Sequence, residues 1–337
     1  MFKGGSESEF GLCRVAHETL TAAPTLGIYT ALSTTQIHQY TMTVSTITTT
    51  QKASLKVKGS DDAGFKTALR GGFPKPPRFE DKLEEREYQK FRLAQAFRIF
   101  GNLGFEEGVA GHITVRDCIR PDCFWVNPMG KAFSTIQPED LILLDHDGKV
   151  QKEESSSVYT VTNTAAFMIH SAIHKSRPDV ICAAHTHSFY GKTFSTLSKP
   201  LDALTQDSCA YYNDHVVYKT FNGVVLAEDE GIRIAELLGD KKNHGLLVAA
   251  NSIEATVHFY VAMERACQSQ LLAEAAGYPS GTPPISIHHE EAVSTYKTIG
   301  SMYSGWFNGL PLFQTLQMQE GKKFEFSDSV KGVTPLL

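Results

Sequence analysis

Hydrophobic and polar positions change their spacing along the chain, and each spacing predicts a different element. From Glu80, acidic residues open a stretch in which apolar side chains recur every three residues from Phe91 to Phe100, which predicts an amphipathic helix that ends at the next glycines. Short apolar runs bounded by turn residues predict strands. The predicted strands are 112–117, 124–127, 141–145, 180–187, 215–219, 224–227 and 244–250. The further predicted helices are 163–175, about 228–238 and about 252–276.

The two ends of the chain differ from this middle part. Residues 1–75 are crowded with Thr and Ser and lead into a Gly/Pro-rich stretch, a composition that favours disorder. Residues 281–337 are polar and predicted to be irregular, apart from an apolar cluster around Trp306 that we expect to dock on the main domain. The sequence therefore predicts a domain at 76–280 with an extension at each end. Interspersed helices and strands within it predict an α/β fold.

Composition excludes several classes of partner. The 337 residues are 42% hydrophobic and carry a net charge of −5, so neither nucleic acid nor an anionic membrane is expected as a partner. No apolar run reaches the roughly 18 residues that span a bilayer. The six cysteines are scattered, which is typical of reduced thiols in a cytoplasmic protein.

The stretch "VICAAHTHS" at 180–188 carries the candidate chemistry. On a strand, His185 and His187 project from the same face, where two imidazoles can share a metal ion, although packing explains such a pair about as well. His244, before another predicted strand, is the best candidate for a third ligand. His170 and His174 lie four apart on a helix, and we interpret them as structural. The single histidines at positions 112 and 215 are, taken alone, typical of hydrogen-bonded strand ends.

Four blocks in order resemble the class II aldolase/adducin family: "EGVAGHITVRD", "VNPMGKAFSTIQPEDLILLDHDG", "HSAIHKSRPDVICAAHTHS" and "NHGLLV". The resemblance covers about residues 80–276. It implies a three-layer α/β/α fold around a mixed, largely antiparallel sheet. It further implies a homotetramer and a divalent metal, most often zinc, held by His185, His187 and His244.

This sequence departs from the sugar-phosphate aldolases of that family at the residues that handle phosphate and protons. The proton-transferring Glu is replaced by Ala166. The positions that match the phosphate-binding residues are Thr164, Ala165, Gly111, His112, Met129 and Gly130. Because alanine and methionine supply no donor to a dianion, we expect a substrate without phosphate. His112, Asn127 and Gly130 remain the predicted substrate-binding residues.

The segment before His244 is also unusual, because the family carries an apolar strand there. Here a helix runs into "NHG" through Gly239–Lys242 alone. A missing strand predicts a displaced His244 or an unpaired sheet edge.

Three functions follow as hypotheses. The first is a metal-dependent lyase that acts on a non-phosphorylated carbonyl compound by retro-aldol cleavage or decarboxylation, with Asp207, Tyr212 and His215 as candidate proton carriers. Turn-forming loop residues explain those three equally well. The second is a non-haem iron oxygenase, since three imidazoles suit Fe(II) as well as zinc. The third is a non-catalytic, adducin-like scaffold, since that branch also lacks the Glu.

Overall fold

A computed structural model describes residues 64–65, 74–158, 160–219, 228–241, 243–244 and 247–331. These residues belong to one unit, Leu55–Leu337. The predicted strand 224–227 and nearly all of the Thr/Ser-rich N-terminal segment lie outside the described residues. Among the described helices, none is both long and apolar enough to cross a membrane.

The sheet has seven strands within the described residues, in the order β3-β2-β1-β4-β7-β6-β5. All neighbours pair antiparallel except β5 and β6, so the sheet is mixed and largely antiparallel, as predicted. The strands are β1 His112–Arg116, β2 Cys123–Val126, β3 Ile142–Asp145, β4 Cys182–His185, β5 His215–Val216, β6 Asn243–His244 and β7 Leu247–Ala250.

Seven α-helices accompany the sheet in the described part of the chain. They are α1 Lys82–Asn102, α2 Thr164–Ser176, α3 Phe189–Ser195, α4 Glu228–Leu238, α5 Ile253–Gly277, α6 His289–Ile299 and α7 Met302–Glu320. Side-chain caps start several of them: Asp81 accepts from the amide of Leu83 at 2.8 Å, and Ser252 accepts from that of Ala255 at 3.2 Å.

Alternation along β4 separates two hydrophobic clusters. Cys182 and Ala184 join the large cluster that α1, α5 and α7 form on one face of the sheet. Ala183 joins a smaller cluster with α2 and α4 on the other face. Because neighbouring residues of a strand point to opposite faces, helices cover both sides. The three-layer α/β/α architecture is therefore confirmed.

Residues after 280 are more regular than the sequence predicts. The irregular segment that we expected there contains α6 and α7, and Trp306, Leu310 and Phe313 of α7 are buried in the large cluster. Helix propensity is low in this stretch because glycines and Pro311 interrupt it. Packing against α5 provides the stabilisation that local propensity does not.

Three of the strand predictions also need correction. The strand expected at 180–187 is Cys182–His185, so His187 lies two residues beyond it. The single strand expected at 244–250 is two antiparallel strands, β6 and β7, because His244 pairs back onto Leu247. The strand expected at 215–219 is only two residues long. The short segment before His244 leaves no unpaired edge at that strand, since β6 pairs with β7 on one side and with β5 on the other.

Candidate functional site

Three histidines occupy one row across the centre of the sheet. His112 of β1 pairs with His185 of β4, His185 pairs with Leu247 of β7, and Leu247 pairs with His244 of β6. Adjacent strands lie about 4.8 Å apart, so the backbones of His185 and His244 are separated by roughly 10 Å. The row therefore contains two of the three predicted metal ligands, His185 and His244, with β7 between their strands. The third, His187, lies two residues beyond the end of β4.

The side chains of His185 and His187 fit a shared metal ion. Their ring centroids lie 5.3 Å apart, with ring planes at 77°. Two imidazoles that bind one tetrahedral zinc through nitrogens at about 2.0–2.1 Å have centroids roughly 5 Å apart. His185 is half-buried and His187 is exposed, so a substrate can reach the pair.

A third donor is needed to complete such a site. Among the residues whose side chains the structure describes, no group of three His, Cys, Asp or Glu side chains is arranged to hold a metal ion. The backbone of His244 is described, and strand pairing places it in the same row of the sheet as His185. His244 therefore remains the candidate for the third metal ligand.

Helix α5 fixes the loop that carries His187. The hydroxyl of Tyr260 lies 2.7 Å from that of Thr186 and also accepts from the Thr186 amide at 3.2 Å. One turn later, the buried carboxylate of Glu264 accepts from Ser188 Oγ at 2.6 Å and from the Gly191 amide at 2.7 Å. Both contacts are long-range, and nothing in the local sequence around the H-x-H pair signals them.

His112 is a buried histidine with unused hydrogen-bonding capacity. Neither ring nitrogen bonds to a described residue, although the side chain is only 4% exposed. Its ring centroid lies 4.3 Å from that of His170 and 5.3 Å from that of His185. Burial, together with the nearby His185 and His187 rings, holds the pKa of His112 well below its ordinary value. A neutral imidazole here offers one donor and one acceptor.

Asn127 shares a small cavity with His112. The cavity has a volume of about 10 Å³, enough for one water molecule, and Asn127 Oδ1 also lacks a described partner. Its apolar lining residues are Val109, Phe124, Val126, Met129, Leu144 and Phe167. The structure thus brings two of the predicted substrate-binding residues together. Gly130 is not among the described lining residues.

A hydroxyl on β1 connects the two helix histidines. Thr114 Oγ1 lies 2.6 Å from His170 Nδ1 and 2.8 Å from His174 Nε2. Since one hydroxyl carries one proton, at least one of these rings donates to the oxygen. Both imidazoles are fully buried, and burial lowers the pKa of His174 to about 3. This geometry supports the structural interpretation of the pair.

A second, larger cavity of about 580 Å³ opens beside the H-x-H pair. His185, His187 and His215 line it together with apolar residues from both faces of the sheet. Its size lies within the range of cavities that hold drug-sized ligands.

The three predicted proton carriers are placed differently. His215 lines the large cavity, but its Nδ1 donates to the carbonyl of Tyr211 at 2.8 Å and its Nε2 accepts from the amide of Leu201 at 2.9 Å. Tyr212 lies 2.9 Å from His289 of α6 through its hydroxyl. Asp207 is exposed at the start of a 3₁₀ helix. Neither Asp207 nor Tyr212 is among the described residues of either cavity lining.

Comparison with known proteins places this geometry in a family. Residues 91–271 match the model of the class II aldolase and adducin N-terminal domain. The chain belongs to the class II aldolase and adducin family. This matches the resemblance seen in the four sequence blocks.

Individual relatives share much of the chain. It is 42% identical over 248 residues to the decarboxylase NovR of Streptomyces niveus, covering 72% of this chain and 88% of that protein. It is 40% identical to a 4-hydroxy-3-prenylphenylpyruvate oxygenase/4-hydroxy-3-prenylbenzoate synthase of Streptomyces roseochromogenus subsp. oscitans, covering 79% of this chain and 95% of that one. Among solved structures, L-fuculose 1-phosphate aldolase from Glaciozyma antarctica PI12 superposes with a TM-score of 0.66 at 42% identity, covering 73% and 95% of the two chains.

Proposed function

We propose that this protein is a metal-dependent lyase that cleaves a carbon–carbon bond next to a carbonyl in a substrate without phosphate. The observation that carries the proposal is the position of the His185–His187 pair in the lining of the large, mostly apolar cavity, with the ring centroid of His185 5.3 Å from that of His112 of the small cavity. The relative named as a decarboxylase supports a lyase, and the replaced phosphate-binding positions support a non-phosphorylated substrate.

His185, His187 and His244 are the residues that would hold the metal. The paired imidazoles and the register of the third histidine suit a divalent ion, with zinc as the first choice and Fe(II) as the second. Such an ion acts as a Lewis acid that polarises a carbonyl and stabilises the negative charge that develops on its oxygen.

The small cavity would bind a polar group of the substrate. His112 offers one donor and one acceptor there, Asn127 Oδ1 offers a further acceptor, and the cavity has room for a group about the size of one water molecule. The bond that breaks joins the carbon beside the carbonyl to a carboxylate or to a hydroxyl-bearing carbon. The electron pair moves into the carbonyl to give an enolate, which then takes up a proton. A carboxylate leaves as carbon dioxide. A hydroxyl-bearing carbon leaves as an aldehyde, and its hydroxyl proton passes to a base or to water.

The source of that proton is the least constrained step, since Ala166 has no ionisable group. Asp207, Tyr212 and His215 remain candidate carriers. His215 is the one that lines the large cavity, but both of its ring nitrogens already bond to the backbone. A proton from solvent water meets the requirement without any of them.

Activity of the zinc-loaded full chain on a substrate panel tests the proposal. The panel contains 3-oxo acids, 4-hydroxy-2-oxo acids and L-fuculose 1-phosphate, assayed without oxygen. We expect carbon dioxide or aldehyde release from a non-phosphorylated acid, and loss of this turnover in His187→Ala but not in His288→Ala, an exposed control. Turnover of the sugar phosphate alone would refute the proposal. Absence of both metal binding and turnover would favour the scaffold hypothesis.

A second candidate function is a non-haem iron oxygenase, favoured by the relative that is named as an oxygenase. Here molecular oxygen is the co-reactant and Fe(II) replaces zinc. Oxygen uptake by the Fe(II)-loaded protein, in proportion to product and absent with zinc, distinguishes this function from the lyase.

We also propose that the protein acts as a homotetramer, as the family resemblance implies, and that it works in the cytoplasm, which its scattered cysteines favour. Light scattering of the purified full chain tests the tetramer. A monomeric mass at micromolar concentration contradicts it.

A further inference from the structure

The large cavity lies beside the row of the sheet that contains His185 and Leu247, both of which line it. Val216 of β5 lines it as well. The cavity reaches apolar side chains of both hydrophobic clusters, and therefore of both layers of helices.

Its buried wall carries carbon and sulfur rather than hydrogen-bonding groups. Phe194, Met263 and Cys267 come from the large cluster, and Ile169, Ile234 and Leu247 come from the smaller one. Each of these side chains is less than 9% exposed. Serine, threonine and lysine side chains in the lining lie at the more exposed rim.

Such a wall discriminates against a sugar. A hydroxyl buried without a partner costs at least about 1–3 kcal/mol, so each carbinol group of a polyol placed here would weaken binding. A hydrocarbon body has no hydrogen bonds to lose in the same place, and its transfer from water into the cavity is favourable. The chemistry of the lining therefore selects the part of the substrate that points away from the histidines.

We propose that this cavity binds an aromatic or branched-hydrocarbon body attached to the carbonyl group that reacts at His185 and His187. The inference rests on the proposed function and names its substrate class: oxo acids with a large apolar side chain. A volume of about 580 Å³ accommodates a substituted aromatic ring.

Binding of a graded series of probes to the zinc-loaded full chain tests this. Pyruvate, 2-oxohexanoate and phenylpyruvate share the oxo acid and differ in their apolar body. We expect affinity, measured by calorimetric titration, to rise roughly fourfold for each methylene that becomes buried, the equivalent of about 0.8 kcal/mol. Equal affinity for pyruvate and phenylpyruvate would overturn the inference.

Larger side chains that fill the cavity from either wall test whether the apolar body of the probe binds there. Met263→Trp on α5 and Ile234→Phe on α4 should each weaken phenylpyruvate at least tenfold while changing pyruvate binding less than twofold. Met318→Trp, at an 86% exposed position, is the matched control. The two walls belong to different clusters, so one variant remains informative where the other unfolds. If both folded variants bind phenylpyruvate as the wild type does, the cavity is not its site.

This outcome is separable from that of the proposed function. The probes lack the bond that the proposed lyase breaks, so turnover is measured on 3-oxo and 4-hydroxy-2-oxo acids. Cavity-dependent binding of the probes with no turnover of those acids would keep the ligand site and refute the lyase. Turnover of oxo acids that is insensitive to both substitutions would keep the lyase and refute the site.

Discussion

The carboxylate of Glu264 accepts a hydrogen bond from the hydroxyl of Ser188 at 2.6 Å, although the two residues are 76 positions apart. The same carboxylate accepts from the amides of Tyr190 and Gly191, each at 2.7 Å. Three donors at the start of α3 therefore converge on one buried charge. Because His187 immediately precedes Ser188, this contact fixes the direction in which the H-x-H loop leaves β4.

Removal of that carboxylate should weaken metal binding. In Glu264→Ala the three donors lose their acceptor, and we expect a loss of about 3 kcal/mol in the free energy of unfolding. We also expect roughly tenfold weaker zinc binding, as is typical when a residue that orients a metal ligand is removed. Urea unfolding measures the first effect, and competition with a chelator measures the second.

Glu254→Gln provides the matched control on the same helix. Glu254 is also buried, but it contacts Tyr88 and Arg92 at the opposite end of α5. Its replacement should lower stability and leave zinc affinity unchanged. An equal loss of zinc affinity in both variants would show that α5 acts only through global stability.

Buried His174 should make the protein less stable in mild acid. Its pKa is about 3 in the folded state, against about 6.5 for an unfolded histidine. Between pH 6.5 and pH 3, His174 therefore binds a proton in the unfolded chain but not in the folded chain. This histidine's share of stability is fully present above pH 6.5 and is lost, at about 1.4 kcal/mol per pH unit, as the pH falls towards 3.

The slope, rather than the absolute stability, tests this prediction. Between pH 6 and pH 5, the free energy of unfolding of His174→Asn should fall by about 1 kcal/mol less than that of the wild type. Ser176→Ala, a non-titrating change at the end of the same helix, should keep the wild-type slope. If His174→Asn keeps it too, this imidazole is protonated in the folded protein.

Gly309 of α7 should not tolerate a side chain. A Cβ at this position would meet the carbonyl oxygen of Glu254 on α5, and a backbone atom cannot move aside as a side chain can. We expect Gly309→Ala to lower the free energy of unfolding by about 1–3 kcal/mol, despite the better helix propensity of alanine. Asn308→Ala, at the neighbouring exposed position, should change it by less than about 0.5 kcal/mol. Equal unfolding midpoints would show that α7 does not pack closely on α5.

The glycines of α7 show why the sequence predicts some helices and misses others. Apolar periodicity predicts α1, α5 and most of the strands, because their local pattern and their tertiary packing agree. In α7, Gly305 and Gly309 lower the local helix signal and at the same time allow the close approach to α5. Their contribution is visible only once the partner helix is in place, so the sequence predicts an irregular segment there.

In the candidate site, too, some features follow from local spacing and others depend on distant packing partners. The i, i+2 spacing of His185 and His187 predicts that both side chains project from one face of a strand. The strand ends at His185, yet the two rings still lie 5.3 Å apart. The polar face of β1 is different, since His112 and Thr114 alternate with apolar residues as in a strand with one solvent-facing side. In the structure that face is buried, because His170 of α2 contacts both residues. Partners more than 50 residues away decide this, and local spacing does not encode them.

Replacement of His215 distinguishes a proton carrier from a residue that fastens a loop. Both ring nitrogens bond to the backbone, Nδ1 to the Tyr211 carbonyl and Nε2 to the Leu201 amide, and the ring thereby joins two loop segments beside the large cavity. Glutamine carries one donor and one acceptor and can replace part of this pattern, whereas alanine replaces neither bond.

We therefore expect His215→Ala to lose about 2 kcal/mol of unfolding free energy, and His215→Gln to recover part of the stability and most of the turnover. Thermal unfolding and steady-state assays on the same samples measure both quantities. A glutamine variant that is stable but inactive would instead identify His215 as the proton carrier, since glutamine cannot titrate.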